Sequence, residues 1–499
     1  MDTKKLYGEY TQQLQKIADI RYANAALQWD QETYMPPKGA HFRAQQIATL
    51  SEISHECFTR PVFKNLLQEL LGSNDLNDTQ QKNVALTWYD YTQQQKLSGD
   101  FVRRLSEATS KSFQAWVSAK TANDFSLFEK DLAGLLELKK QEADLLGYEQ
   151  HPYNALLNQY ERGCTVSLLD SVFTSLQAPL KDLLEKIAAC PQVNDDFLHR
   201  HFPKEKQWQF GLDLMKQLGF DFSAGRQDIA EHPFTTNFSS QDVRLTTRID
   251  ENDFSNMTWS CIHECGHGLY EQGLPKEAYG LPLGEFTSLS IHESQSRLWE
   301  NNVGRSQDSW QFFYPQASQR FPDALKDISL NQFYKGINKV QPSFIRTEAD
   351  ELTYHFHVQI RYELEKKLLE GVLQVKDIPA YWNEQYYKLL GVTVPDDQRG
   401  CLQDVHWSHG SFGYFPTYSL GSFYAAQFFA AAQEQIPGLG AAIKNGNYNP
   451  LLNWLRSSIH VHGRRFTSGE LCERISGAPL NIDFFIRYAT NKYKDIYAF

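Results

Sequence analysis

Apolar residues recur at three- and four-residue intervals over most of the chain: Leu6, Tyr10, Leu14 and Ile17, then Phe128, Leu132, Leu135 and Leu136, then Leu180, Leu183, Leu184 and Ile187. That is the period of helices with one buried stripe, and it predicts a mostly α-helical protein. Thr467-Ser468-Gly469-Glu470 has the spacing of a capping box, and Asn449-Pro450 puts proline where a helix begins. The stretch Gly219 to Asn256 breaks the pattern. Within it Val243, Leu245, Thr247 and Ile249 alternate with Asp242, Arg244, Thr246 and Arg248, which predicts a strand over Asp242 to Ile249. No repeat, low-complexity tract or proline- or glycine-rich linker divides the chain. One large domain over residues 1–499 is expected, with room for two lobes around a groove.

The 499 residues are 41% hydrophobic and 22% charged, enough for a sizeable core. Charge narrows the partners: 49 Lys and Arg against 60 Asp and Glu give a net −11, whereas a nucleic-acid binder displays a basic face. The opening residues Met1 to Leu6 lead straight into a polar helix pattern, without the apolar segment of a secretory signal. The most apolar run, Ser422 to Ala432, is about half of the roughly 18 to 20 residues a membrane span requires. A cytoplasmic protein with no membrane segment is expected. Seven scattered cysteines with no C-x-x-C pair read as reduced thiols.

Candidate chemistry lies in His263-Glu264-Cys265-Gly266-His267, an H-E-x-x-H sequence. On a helix, positions four apart differ by about 40° around the axis, so both imidazoles can share one metal while Glu264 projects beside them. The flanks agree with a helix: Asp253 or Ser255 can cap its start, Trp259, Ile262, Leu269 and Tyr270 supply apolar surface, and Gly273 with Pro275 stops it. A catalytic zinc needs a third ligand. A metzincin would carry glycine and histidine at the positions of Tyr270 and Gly273, so that class is excluded. The segment Glu285 to Glu300 reads as a following helix on which Phe286, Leu289 and Glu293 share a stripe. A carboxylate there is buried, hence paired or metal-bound. Glu293 is the expected ligand, with Glu285, His292 and Glu300 as alternatives. Where other gluzincins place an aspartate to orient a histidine, four residues beyond the ligand glutamate, this chain has Arg297. An outer partner must come from elsewhere, with Asp242, Asp350 and Asp404 as candidates.

The chain resembles the carboxypeptidase Taq family of metallocarboxypeptidases. The likeness is carried by His232-Pro233-Phe234, Asp242-Val243-Arg244-Leu245-Thr246, the H-E-x-x-H, His292-Glu293-Ser294-Gln295, Ile345-Arg346-Thr347-Glu348-Ala349-Asp350 and Gly400-Cys401-Leu402-Gln403-Asp404-Val405-His406-Trp407. Trp29-Asp30 with Met35-Pro36, and Ser476 to Asn481, extend it over essentially the whole chain. The resemblance implies a large helical zincin fold similar to neurolysin and angiotensin-converting enzyme, with a deep substrate groove; the strand read from the alternation is expected to belong to a small sheet near the active site. The resemblance also implies one catalytic zinc, or cobalt, per chain, a homodimer, and release of C-terminal amino acids from peptides with broad tolerance, proline being a common exception.

On this reading His263, His267 and Glu293 hold the metal, and Glu264 is general base and then acid, work worth roughly 10²- to 10⁴-fold. A further oxyanion donor is expected from the loop His406 to Tyr418. Similarity to the histidine and tyrosine loop of neurolysin-like enzymes favours His406 and Tyr414, with Tyr418 and His409 as alternatives. A carboxypeptidase also needs a cation for the terminal carboxylate, and arginine suits it because its fork bonds both oxygens. Arg346 is the expected residue; the plainer reading is a bridge along a helix to Asp350. Asp242 and Arg244 read as a structural ion pair. The rivals are an oligopeptidase or aminopeptidase on the same zinc chemistry, the latter lacking its G-x-M-E-N sequence, and a helical peptide-binding protein that has lost catalysis. Against that last option, Glu264 and every expected ligand are in place.

Overall fold

The computed structural model describes residues 2–499. Among the described residues it is built of helices with one three-stranded sheet, the class that the periodicity predicts. The chain forms two compact units from alternating segments. Among the described residues no helix is long and apolar enough to cross a membrane. Among the described residues all seven cysteines are free thiols.

The first unit comprises Met1–Gln95, Asn194–Ile337 and Phe428–Pro479. Its long helix Thr3–Thr33 starts where the Asp2 carboxylate accepts from Lys4 N. The stripe Leu6, Tyr10, Leu14 and Ile17 is buried with Phe63, Leu67, Leu70, Val84 and Tyr91. Each such side chain contributes about 1.5–3 kcal/mol when removed from water, which fixes the helix face. Near the other end of the unit, Thr467 and Glu470 form a capping box, and Pro450 opens the helix Asn449–Ser458.

The sheet consists of β1 (Gly225–Ile229), β2 (Thr235–Ser239) and β3 (Asp242–Thr247), ordered β1-β3-β2, with β1 parallel and β2 antiparallel to β3. The expected strand therefore exists but ends at Thr247. Beyond it Asp250 bridges Asp253 and turns the chain into the next helix. Val243 and Leu245 are fully buried as the alternation predicts, yet Thr246 is buried too, its hydroxyl accepting from Phe234 N.

Two helices position the candidate chemistry. The His263 helix, Phe254–Gly273, is capped by Asp253, whose carboxylate accepts from Ser255 N, and it packs on β3. The Glu293 helix, Leu289–Arg297, is capped by Ser288 onto Ile291 N. It begins later than the sequence suggests, so Phe286 lies outside it, and it continues as a buried π-helical turn, Leu298–Gly304.

The second unit comprises Lys96–Val193, Asn338–Gln427 and Leu480–Phe499. Its helix Ser126–Leu146 buries Phe128, Leu132, Leu135 and Leu136. Helix Val166–Ala188 buries Leu180, Leu183 and Ile187, with Leu184 half-buried at the edge of the stripe. Helix Tyr354–Glu370 is buried along most of its length, polar residues included. It therefore brings charged side chains into the interior, where they need partners.

Candidate metal centre and the arginine cluster

One helical turn separates His263 from His267, so both rings leave the same face of the His263 helix. Their Nε2 atoms lie 3.6 and 3.5 Å from Glu293 Oε2. The three potential ligand atoms are all within 4.8 Å of one another. Gly266, between the histidines, permits this convergence. A Cβ there would stand 2.6 Å from Ser296 Cα and 2.7 Å from Gln295 O, so the two helices meet backbone to backbone.

Behind the three side chains lies a layer of charged partners. His263 Nδ1 is 2.8 Å from Glu300 Oε2. Arg297 Nε donates to Glu293 Oε1 at 2.7 Å and its Nη1 to Glu300 Oε2 at 3.2 Å, while Arg305 reaches Glu300 Oε1 at 3.3 Å. His267 Nδ1 is 2.5 Å from His292 Nδ1, and His292 Nε2 is 2.7 Å from Glu271 Oε1. Burial alone would raise the pKa values of Glu293 and Glu300, but Arg297 and the neighbouring histidines hold both carboxyls well below the usual carboxylate range. Burial pushes His267 down to about 3, with His292 adding to the effect. For His263 burial pulls the same way, but Glu293 and Glu300 outweigh it and raise the pKa.

These residues fit a divalent metal. The Nδ1–H of His263 donates to Glu300, which leaves the Nε2 lone pair facing Glu293. Two imidazole nitrogens and one carboxylate oxygen form the donor set of a catalytic zinc site. Glu264 is buried beside them, and its Oε2 accepts from the Thr235 hydroxyl on β2 at 2.5 Å. Burial raises the Glu264 pKa, against the pull of His263 and Thr235.

The outer partners differ from those the sequence suggests. Asp242 pairs with Arg244 at 3.0 Å, as the ion-pair reading has it. Asp350 accepts from Gln341 N, Leu352 N and the Thr353 backbone and hydroxyl. Asp404 holds two arginines. Glu300 and His292 stand against His263 and His267 instead, while Glu285 faces Arg21 and Arg464. Thr235 and Glu271 escape the sequence reading. Glu271 had a usable signal: it follows His263 and His267 at the same four-residue step, an acidic group on the buried face of the helix.

In the second unit Arg346 opens a single 3-10 turn, Arg346–Glu348, and is 5% exposed. Its Nε and Nη2 donate to Asp404 Oδ1 at 3.0 and 2.7 Å, and Nη1 donates to Tyr354 Oη at 3.1 Å. Arg361 holds the other Asp404 oxygen at 2.5 Å. Asp350 is not the partner of Arg346. Two guanidinium groups on one carboxylate leave a net positive charge. His406 Nε2 is 3.1 Å from Tyr418 Oη, and the rings of Tyr414 and Tyr418 are 5.3 Å apart beside it. Burial pushes His406 down to about 3, with Arg346 and Arg361 opposing the pull of Asp404. His409 is exposed, its ring tilted against that of Phe113 at 5.0 Å.

The loop that carries these groups is tied to a buried carboxylate. Glu365 accepts from Trp407 Nε1 at 2.8 Å, from Gly413 N at 2.8 Å and from the Tyr153 hydroxyl. Lys139, whose charge also acts on Glu365, is paired with Glu142. Burial raises the Glu365 pKa to about 7 against the pull of its three donors. Between about 4.3, the unfolded value, and about 7 the folded chain keeps a proton that the unfolded chain releases, so stability falls as pH rises through that window. We expect wild type to lose stability relative to Glu365→Gln by up to about 1.4 kcal/mol per pH unit there. Urea midpoints of both proteins at a series of pH values check this; parallel curves would mean that the carboxyl does not titrate in the window.

Residues 9–493 match the family model described as Carboxypeptidase Taq (M32) metallopeptidase. The chain is similar to Carboxypeptidase 1 of Bacillus subtilis (strain 168), with 39% identity covering 98% of each chain. It is also similar to the crystal structure of the M32 carboxypeptidase from Deinococcus radiodurans R1, with a TM-score of 0.98 and 38% identity, covering 99% of this chain and 100% of that one. A solved structure named CHT is 59% identical with a TM-score of 0.97, covering 98% of this chain and 99% of that one.

Proposed function

Because the chain belongs to the carboxypeptidase Taq (M32) metallopeptidase family and is a metallocarboxypeptidase, we propose that it trims peptides of broad sequence from the C-terminus with zinc and Glu264. The observation that carries this reading is the convergence of His263, His267 and Glu293 on one point, with a buried carboxyl beside them. Zinc is the proposed ion, with cobalt as its substitute, one per chain; a cytoplasmic homodimer belongs to the same proposal. When bound, such an ion supplies Lewis acidity that makes water easier to deprotonate and a carbonyl easier to attack.

The chain's own residues do the rest. Glu264 accepts a proton from the attacking water and delivers it to the leaving amine. The Thr235 hydroxyl occupies Oε2 of Glu264 and holds the carboxyl in place, leaving Oε1 for the proton. Arg297 fixes Glu293 through Oε1 and so presents Oε2 toward the histidines. His406 and Tyr414 are the proposed donors to the oxyanion, supported by their clustering with Tyr418 around the arginine pair.

Arg346 is the proposed reader of the terminal carboxylate. A guanidinium has five N–H donors, and the three bonds to Asp404 and Tyr354 leave two. The positive charge not balanced by Asp404 supports the same role. A desolvated carboxylate without its cation costs about 2–5 kcal/mol, so Arg346→Ala should lower efficiency on free-acid peptides by roughly 30- to 5,000-fold. Asp404 keeps Arg361 in that variant, so no buried charge is orphaned. The test of the whole reading is one peptide in free, N-blocked and C-amidated forms, followed by mass spectrometry. Free and N-blocked peptides should give ladders from the C-terminus, and the amidated form should not. Equal trimming of amidated and free peptides would point to an endopeptidase, and an Arg346→Ala enzyme that still discriminates them would assign the terminus to another cation.

A further inference from the structure

His267 and His292 meet through like atoms, Nδ1 to Nδ1 at 2.5 Å. Such a contact is attractive only if one nitrogen carries a proton and the other a lone pair. Which does so is decided at the far side of His292. There Nε2 is 2.7 Å from Glu271 Oε1, and a carboxylate accepts but does not donate. In a neutral His292 ring Nε2 therefore holds the proton, Nδ1 offers the lone pair, and His267 donates from Nδ1. His267 Nε2, 3.5 Å from Glu293 Oε2, is then left unprotonated.

We propose that Glu271 is a positioning residue for the metal centre: acting through His292, it fixes the tautomer and ring orientation of His267. The chain of bonds extends one step further back, because the other Glu271 oxygen accepts from Asn237 Nδ2 on β2. Asn237 commits Glu271 Oε2 and leaves Oε1 for His292. The relay is packed in place: the Phe286 ring stands edge-on to His292 at 4.9 Å and Tyr270 lies at 5.3 Å. Glu271 is 3% exposed, so water does not compete for its oxygens. The two histidines thus have different supports. His263 donates directly to a carboxylate held by arginines, and His267 reaches its carboxylate through an intervening imidazole.

The inference rests on His267 being a metal ligand, and the experiment separates the two claims. Zinc affinity of the full chain is measured by chelator competition for wild type, His267→Ala, Glu271→Gln, His292→Phe and the double variant. In Glu271→Gln an amide with its oxygen toward Asn237 turns its NH₂ to His292, which reverses the tautomers and puts a proton on His267 Nε2. Zinc should bind roughly 10- to 100-fold more weakly, the usual cost of losing an outer partner. His292→Phe should show a similar loss, and Glu271→Gln should add nothing to it, because Glu271 acts only through His292. Affinity of Glu271→Gln within about twofold of wild type, or losses that add in the double variant, would overturn the relay. Unchanged zinc binding by His267→Ala would instead sink the ligand assignment beneath it. If a variant fails to fold, ¹⁵N shifts of the His267 imidazole in zinc-free wild type decide the matter. A protonated Nδ1 with a bare Nε2 is the expected result, and the reverse contradicts the proposal.

Discussion

Replacing Glu264 with glutamine should lower turnover by about 10²- to 10⁴-fold while the metal stays bound. The amide has nearly the shape of the carboxyl, and its oxygen can still accept from the Thr235 hydroxyl, which occupies Oε2 in the native protein. What the amide cannot do is take a proton at the remaining position. Because Glu264 bonds neither of the two histidines nor Glu293, the ligand set is untouched by the change. Steady-state turnover and metal analysis on the same preparation read both halves of the expectation. A variant that keeps more than about a tenth of wild-type turnover would put the base elsewhere.

The second large effect is on the metal itself. Glu293→Ala removes one of three proposed ligands and should weaken binding by more than the roughly 100-fold that an outer partner costs, so dialysed protein comes out empty and inactive. The fold should survive. Arg297, which bonds Glu293 in the native chain, keeps Glu300, and Glu300 keeps Arg305 and His263. The buried charges that remain are therefore still paired, which avoids the penalty of an orphaned ion. Full metal occupancy in this variant would reject the ligand assignment, and a lowered urea midpoint with empty protein would show that Glu293 also organises the helix.

What the sequence revealed was whatever depends on a short period. The histidines are four apart on one helix, so local geometry alone predicts a shared point. The caps at Asp253 and Thr467 are equally local. Glu293 and Glu300 show the limit. They are seven residues apart, two helical turns, so both fall on the face toward the histidines, and spacing cannot say which carboxylate faces inward and which stands behind His263. That is decided by Arg297, which bonds one oxygen of each. The plainer reading of Arg346, a bridge to Asp350, fails for the same kind of reason. A bridge to Asp350 needs a helix through both residues, but a single 3-10 turn ends at Glu348, and the true partner, Asp404, is 58 residues away. Strands β1 and β2 escaped notice because Gly225–Ile229 and Thr235–Ser239 are five residues each and too polar to show alternation; only pairing with β3 makes them strands.

Gly266 sets the gauge of the whole centre. The backbone carrying the two histidines and the backbone carrying the glutamate rest directly on each other at that residue, with no side chain between them to yield. The spacing of the proposed ligands therefore starts from main-chain contact, which no side-chain rotation can relax. If His263, His267 and Glu293 hold the ion as proposed, an added methyl at Gly266 would push the histidines away from the glutamate and loosen the fit for every ion.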